Sequence, residues 1–182
     1  MPKKSFAYIL RLLVPAASLV LSCQPSFADT SAKDLMIAAR ALTFLENPPK
    51  GTADIGIVRD PADPASVKDA ETVKTVFGEG LSVGDLTVRA RFLAPAELQG
   101  ATGLAAILVT GGSPSVFQQV SAAAQSRKLL TITTDPACIQ AGQCAMLVRS
   151  EPKIQVFSNS QVAKQNGIAF SQTFSMMIKE FQ

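Results

Sequence analysis

The run LAAILVTGGSP, residues 104–114, joins an uninterrupted apolar stretch to a glycine turn and a helix start. Leu104–Val109 has no alternating polar positions, so it reads as a strand covered on both faces, the pattern of a buried parallel sheet. Gly111 and Gly112 turn the chain, Ser113 is placed to cap a helix, and Pro114 suits its first turn. The helix runs to about Ser126 with Phe117, Val120 and Ala124 on one face. Another strand follows at Leu129–Thr133, ended by Asp135-Pro136. Strand, helix and strand in that succession predict a crossover and parallel pairing.

The same alternation extends upstream. Residues 31–45 carry Leu35, Ala38, Ala39, Leu42 and Leu45 on one helical face, and Pro48-Pro49 stop that helix. Asp54–Arg59 is a short strand. Asp63-Pro64 then starts a helix through Val67, Ala70, Val73 and Phe77, closed at Gly78 or Gly80. Leu86–Phe92 alternates, with Val88 and Ala90 on one side and Arg89 and Arg91 on the other, as in a half-exposed strand. One helical turn is expected at 95–98.

Downstream the pattern changes. Cys144–Ser150 and Lys153–Phe157 are strands separated only by Glu151-Pro152, which predicts an antiparallel hairpin. A short helix at 158–166 ends at Gly167. Ser171 then caps a final helix in which Phe174, Met177, Ile178 and Phe181 share one face. The expected fold class is α/β: a single domain, a mostly parallel sheet flanked by helices, a C-terminal antiparallel hairpin and a terminal helix.

The amino end has a separate meaning. Lys3, Lys4 and Arg11 are the only charges before Asp29, and Leu12–Leu21 is apolar or small throughout. That run is shorter than the roughly 20 residues a bilayer span needs, but it suits a secretory signal peptide. Ser26-Phe27-Ala28 provides small residues for cleavage between Ala28 and Asp29, giving a signal peptide at 1–28, a domain at 29–182 and a periplasmic location. A lipoprotein anchored through Cys23 is the alternative, with Leu21 where a small residue is usual. Cleavage removes three of the seventeen basic residues and no acidic one, leaving fourteen of each sign. A balanced charge gives no general attraction to nucleic acid or to an anionic membrane. The membrane is reached only through a partner, and a homodimer is compatible with the sequence. Cleavage also leaves two cysteines, Cys138 and Cys144, an even number in an oxidising compartment.

The chain has no histidine, which removes the commonest general base and metal ligand. No metal or cofactor motif is present. The acidic residues Asp60, Asp63, Asp135 and Glu151 stand at caps and turns, where a local role suffices, so no catalytic residue is assigned and no enzyme is expected. Gly111, Gly112 and Ser113 form either a tight strand-to-helix turn or a loop whose N–H groups hold an anion. Arg89 and Arg91 are either a solvated face protecting an edge or a contact for an acidic partner. Cys138 and Cys144 bound a loop with two chain breakers, short enough for a disulfide. That bridge would be a structural staple or a redox switch; the spacing is not that of a CxxC oxidoreductase.

The C-terminal order also carries a resemblance. Ala145-Met146-Leu147-Val148, then Lys153-Ile154-Gln155-Val156-Phe157-Ser158-Asn159, then Val162–Ser171 and a final apolar segment resemble the YfiR family of periplasmic proteins. The resemblance implies a regulatory protein without cofactor. It would bind the periplasmic sensor domain of an inner-membrane diguanylate cyclase, hold it inactive, and so lower cyclic di-GMP and biofilm formation. It further implies a disulfide in the loop before the hairpin, as Cys138 and Cys144 would form. The second, upstream disulfide of some members has no counterpart, and Leu45-Glu46-Asn47-Pro48 replaces their Trp-Pro after the first helix. A periplasmic small-ligand or anion-binding protein using the Gly111-Gly112 loop is the alternative function.

Overall fold

The computed structural model describes residues 30–112 and 114–181. The cleavage site at Ala28-Asp29, Cys23 and Ser113 lie outside the described residues.

Helix α1 (Ala32–Ala41) begins at a capping box: the Ser31 hydroxyl accepts from the Asp34 N–H while the Asp34 carboxylate accepts from the Ser31 N–H. A single 3₁₀ turn at Leu42–Phe44 ends it before Pro48-Pro49. Strand β1 (Gly51–Val58) leads to α2 (Pro64–Phe77), capped by Asp63 and closed at Gly78, whose φ of 48° suits a residue without Cβ. Then come β2 (Leu81–Val83), β3 (Leu86–Leu93), a 3₁₀ turn at Pro95–Glu97 and β4 (Leu104–Val109). Helix α3 (Pro114–Arg127), β5 (Leu130–Thr133) and α4 (Pro136–Gln140) follow. The chain finishes with β6 (Met146–Arg149), β7 (Gln155–Ser158), α5 (Ser160–Gln165), α6 (Gln172–Ser175) and β8 (Lys179–Glu180).

One sheet contains all eight strands in the order β2-β3-β1-β4-β5-β6-β7-β8. The inner five are mutually parallel, whereas β2 on β3 and β7 on β6 are antiparallel. Counting the parallel strands alone, the spatial order is second, first, third, fourth, fifth, as in flavodoxin-like doubly wound sheets. The protein is thus a single α/β domain with a mostly parallel sheet and a C-terminal hairpin.

Burial along β4 accounts for its sequence. Ala106 and Leu108 belong to the core under α1 and α2, with Leu35, Ile55, Val73 and Phe77. Ile107 and Val109 belong to the opposite core under α3, with Val58, Phe117 and Val120. Both faces are dry, so no polar residue alternates. At roughly 1.5–3 kcal/mol for each large aliphatic side chain buried, such strands dominate the favourable side of folding.

Three elements differ from the sequence reading. Residues 81–83, unassigned there, form β2 because the two-residue Gly84-Asp85 turn folds them back on β3, pairing Leu81 with Val88 and Val83 with Leu86. The Cys138 loop begins as a helical turn, α4, capped by Asp135. The terminal helix starts at the Ser171 cap as expected but lasts one turn. Its continuation competes with the sheet and loses: the Phe181 N–H donates to the Ser158 carbonyl, β8 pairs with β7, and the Phe181 ring meets Phe157 edge-on at 6.3 Å. Phe174 is buried against Phe44, with ring centroids 4.6 Å apart, but Met177 is 63% exposed. A helical stripe of four apolar residues is therefore only partly core, because a short helix is marginal without tertiary support.

Candidate functional site

In a doubly wound sheet the chain runs outward from one strand in both directions, leaving a crevice at the carboxyl ends of the two strands where it reverses. Here those strands are β1 and β4. Their exits, 59–63 and 110–112, meet the exit of β5 at 134–135. Each exit opens a helix at a polar residue followed by proline: Asp63-Pro64, Ser113-Pro114 and Asp135-Pro136. Asp63 Oδ1 accepts from the Ala65 N–H (2.9 Å) and Asp135 Oδ1 from the Ala137 N–H (2.8 Å). The second oxygens of both carboxylates are turned toward Gly111. A Cβ at that glycine would lie 3.8 Å from Asp63 Oδ2 and 3.9 Å from Asp135 Oδ2.

Asp60 joins them from the β1 exit. It is buried, its N–H donates to the Ser66 hydroxyl (2.9 Å), and its carboxylate accepts from the Ala62 N–H (3.0 Å). The Ser66 hydroxyl in turn donates to the Gly111 carbonyl (3.3 Å), tying α2 to the glycine turn. The Asp135 carboxyl is held above the usual carboxylate range, chiefly by burial, with the Asp63 charge adding to the rise; the Ala137 N–H bond and Arg149 work against it. Three carboxylates thus stand beside the Gly111-Gly112 loop, with the Arg149 charge near enough to act on Asp135. An anion on that loop would meet the like charge of these carboxylates, which opposes the backbone N–H attraction; an ammonium group would not.

A second buried polar group closes the same end of the sheet under α1. The Thr30 N–H and hydroxyl both donate to the Asp69 carboxylate, and Thr30 is 4% exposed. Its hydroxyl also lies 2.7 Å from that of Thr134, and the Ser31 hydroxyl is 3.0 Å from that of Ser150. The Thr110 hydroxyl is buried there with no hydrogen-bond partner among the described residues. Thr30 and Asp69 gave no signal in the sequence, since neither periodicity nor a breaker distinguishes them. The carboxylate convergence had a detectable trace, a polar residue and proline after successive strands.

Cys138 and Cys144 are joined, with Cα atoms 5.4 Å apart. Both are fully buried, which blocks a thiolate from reaching the bond in the folded protein and favours the staple over the switch. The arginines of β3 are engaged within the fold. Arg89 pairs with Asp54 on β1 (2.8 Å) and Arg91 donates to the Thr102 carbonyl (3.0 Å). β2 pairs with β3 only at Leu86–Val88, so Arg89 and Arg91 lie where the outer side of β3 pairs with no strand among the described residues.

Among the described residues no cluster of three or more His, Cys, Asp or Glu side chains is placed to hold a metal ion. No described helix is long and apolar enough to cross a membrane.

No family model matches the chain, and no curated protein matches it. The fold is similar to that of two solved structures. One is a conserved domain protein from Vibrio cholerae O1 biovar El Tor (TM-score 0.58, 14% identity, covering 85% of this chain and 62% of that one). The other is the ABC domain in complex with L-Trp from Streptococcus pneumonia (TM-score 0.55, 14% identity, covering 82% of this chain and 61% of that one). The chain spans about three-fifths of the length of each.

Proposed function

We propose that this is a non-catalytic periplasmic regulator that binds the sensor region of an inner-membrane diguanylate cyclase and represses it, lowering cyclic di-GMP and biofilm formation. What carries this reading is the resemblance of residues 145–178 to the YfiR family. Hairpin β6-β7, helix α5 and the Phe174 turn close one end of the sheet around Phe44 and Phe170. The buried disulfide just before β6 agrees with an exported protein. The crevice carboxylates cap helices through one oxygen each, a structural duty that favours a binding protein over an enzyme.

Repression requires only that the protein bind one state of the sensor better than the other. Each 1.4 kcal/mol of preference shifts that balance about tenfold. Co-expression with an inner-membrane diguanylate cyclase that carries a periplasmic sensor region is expected to lower cyclic di-GMP. Unchanged levels despite demonstrated binding refute repression.

A second reading rests on the sheet order: a small-ligand protein using the β1–β4 crevice, where doubly wound sheets take ligands. The solved neighbour in complex with L-Trp supports it. The surrounding carboxylates favour a ligand bearing an ammonium group over an anion. Thermal shift against amino acids and inorganic anions separates the two readings, because stabilisation is expected only for the ligand protein.

A further inference from the structure

We propose that the groove between α1 and the outer edge of β2 receives an extended segment of alternating apolar and acidic residues from a partner protein. Two adjoining cavities, of about 450 and 300 Å³, meet at Arg40, Val83 and Gly84. Their apolar floor is Met36 and Ile37 of α1 with Leu81 and Val83 of β2, and Met36 is 55% exposed. Beside that floor stand Lys33 and Arg40, one turn before and one turn after Met36 on the same α1 face, and Lys50 at the far end. Among the described residues none of these three cations has a side-chain partner, and Asp85 is the one acidic residue lining the groove.

β2 ends the sheet, so the backbone groups on its outer side pair with no strand among the described residues. An open strand edge beside an apolar floor is the geometry for strand addition, with main-chain bonds for affinity and side-chain pockets for selectivity. Charge chooses the occupant. A second copy related by a two-fold axis would bring Lys33 and Arg40 against their own counterparts, which is repulsive. A lipid surface would satisfy the cations but has no backbone to meet β2. A polypeptide with alternating apolar and acidic residues satisfies floor, cations and edge together. This inference rests on the regulator reading only in taking the partner to be a protein.

The test titrates isotope-labelled processed protein with a short peptide alternating valine and glutamate, with a valine–lysine peptide and phosphatidylglycerol vesicles as comparisons. Saturable amide shifts are expected at Lys33–Arg40 and Leu81–Gly84 with the glutamate peptide alone. They are expected to weaken about tenfold or more in Lys33→Glu/Arg40→Glu, whose unfolding midpoint should match the parent. Absent shifts, shifts elsewhere, full binding by the variant, or a response to vesicles alone overturn the proposal. The cyclase sensor region serves as a separate probe. If it binds parent and variant equally, the groove assignment is wrong and the regulator reading stands. If the peptide binds as expected and the sensor region does not bind, the groove stands and the regulator reading fails.

Discussion

Replacing both Cys138 and Cys144 with alanine tests whether the bridge is a staple. The bridge closes a ring of seven residues, and both sulfurs are fully buried. Releasing so short a ring returns about 2.4 kcal/mol of loop-closure entropy to the unfolded chain. Loss of packed sulfur atoms beside Val109 and Val116 adds to this, since a gap forfeits dispersion contacts outright. The expected destabilisation is about 2–4 kcal/mol. At roughly 2–4 °C per kcal/mol for a domain of this size, the melting midpoint should fall by about 5–15 °C. Urea unfolding followed by circular dichroism measures the free energy directly. The same experiment on the parent, with and without dithiothreitol, asks whether the bond is accessible while folded. A staple predicts that folded parent resists reductant at midrange pH and loses the bond only on unfolding. A double variant within about 0.5 kcal/mol of the parent, or rapid reduction of the folded protein, would refute the reasoning.

Three further predictions concern the two polar groups and the carboxyl end. The raised Asp135 carboxyl means that the folded state holds its proton more tightly than the unfolded chain, so its contribution to stability falls as pH rises from near 3.8 through the folded value and is level above it. Asp135→Asn keeps a side-chain acceptor for the Ala137 N–H, so urea midpoints across that window should lose this part of their slope; an unchanged profile contradicts the assignment. Asp69→Ala leaves the Thr30 N–H and hydroxyl without their acceptor in a buried place and should cost about 1–3 kcal/mol in urea unfolding. Phe174→Ala should cost about 3–5 kcal/mol, whereas Met177→Ala should stay within about 0.5 kcal/mol. Equal costs in that pair would restore the continuous terminal helix that the periodicity suggested.

The elements that could be read from the residues were those whose cause lies within a few positions of themselves. Leu104–Val109 is apolar at every position because both its faces are covered, and the glycines and Pro114 behind it stop the strand and start the helix without help from distant parts. The same holds for α2, which Asp63-Pro64 opens and Gly78 closes, and for hairpin β6-β7, whose strands are too close to do anything but turn back. From such local facts follow the parallel crossovers and hence the fold class. Residues far apart in the chain set the rest. That β1 lies between β3 and β4, bringing Asp63 and Asp135 together beside Gly111, depends on the order in which strands pack, and no single segment encodes it. Whether residues 176–181 continue a helix or join the sheet turned on a backbone bond to Ser158 and a contact with Phe157. The groove beside β2 exists only because α1 crosses an edge formed some forty residues later in the chain. Local propensity and capping act through neighbours in sequence; packing joins partners at any separation, and the shape of each candidate site was decided there.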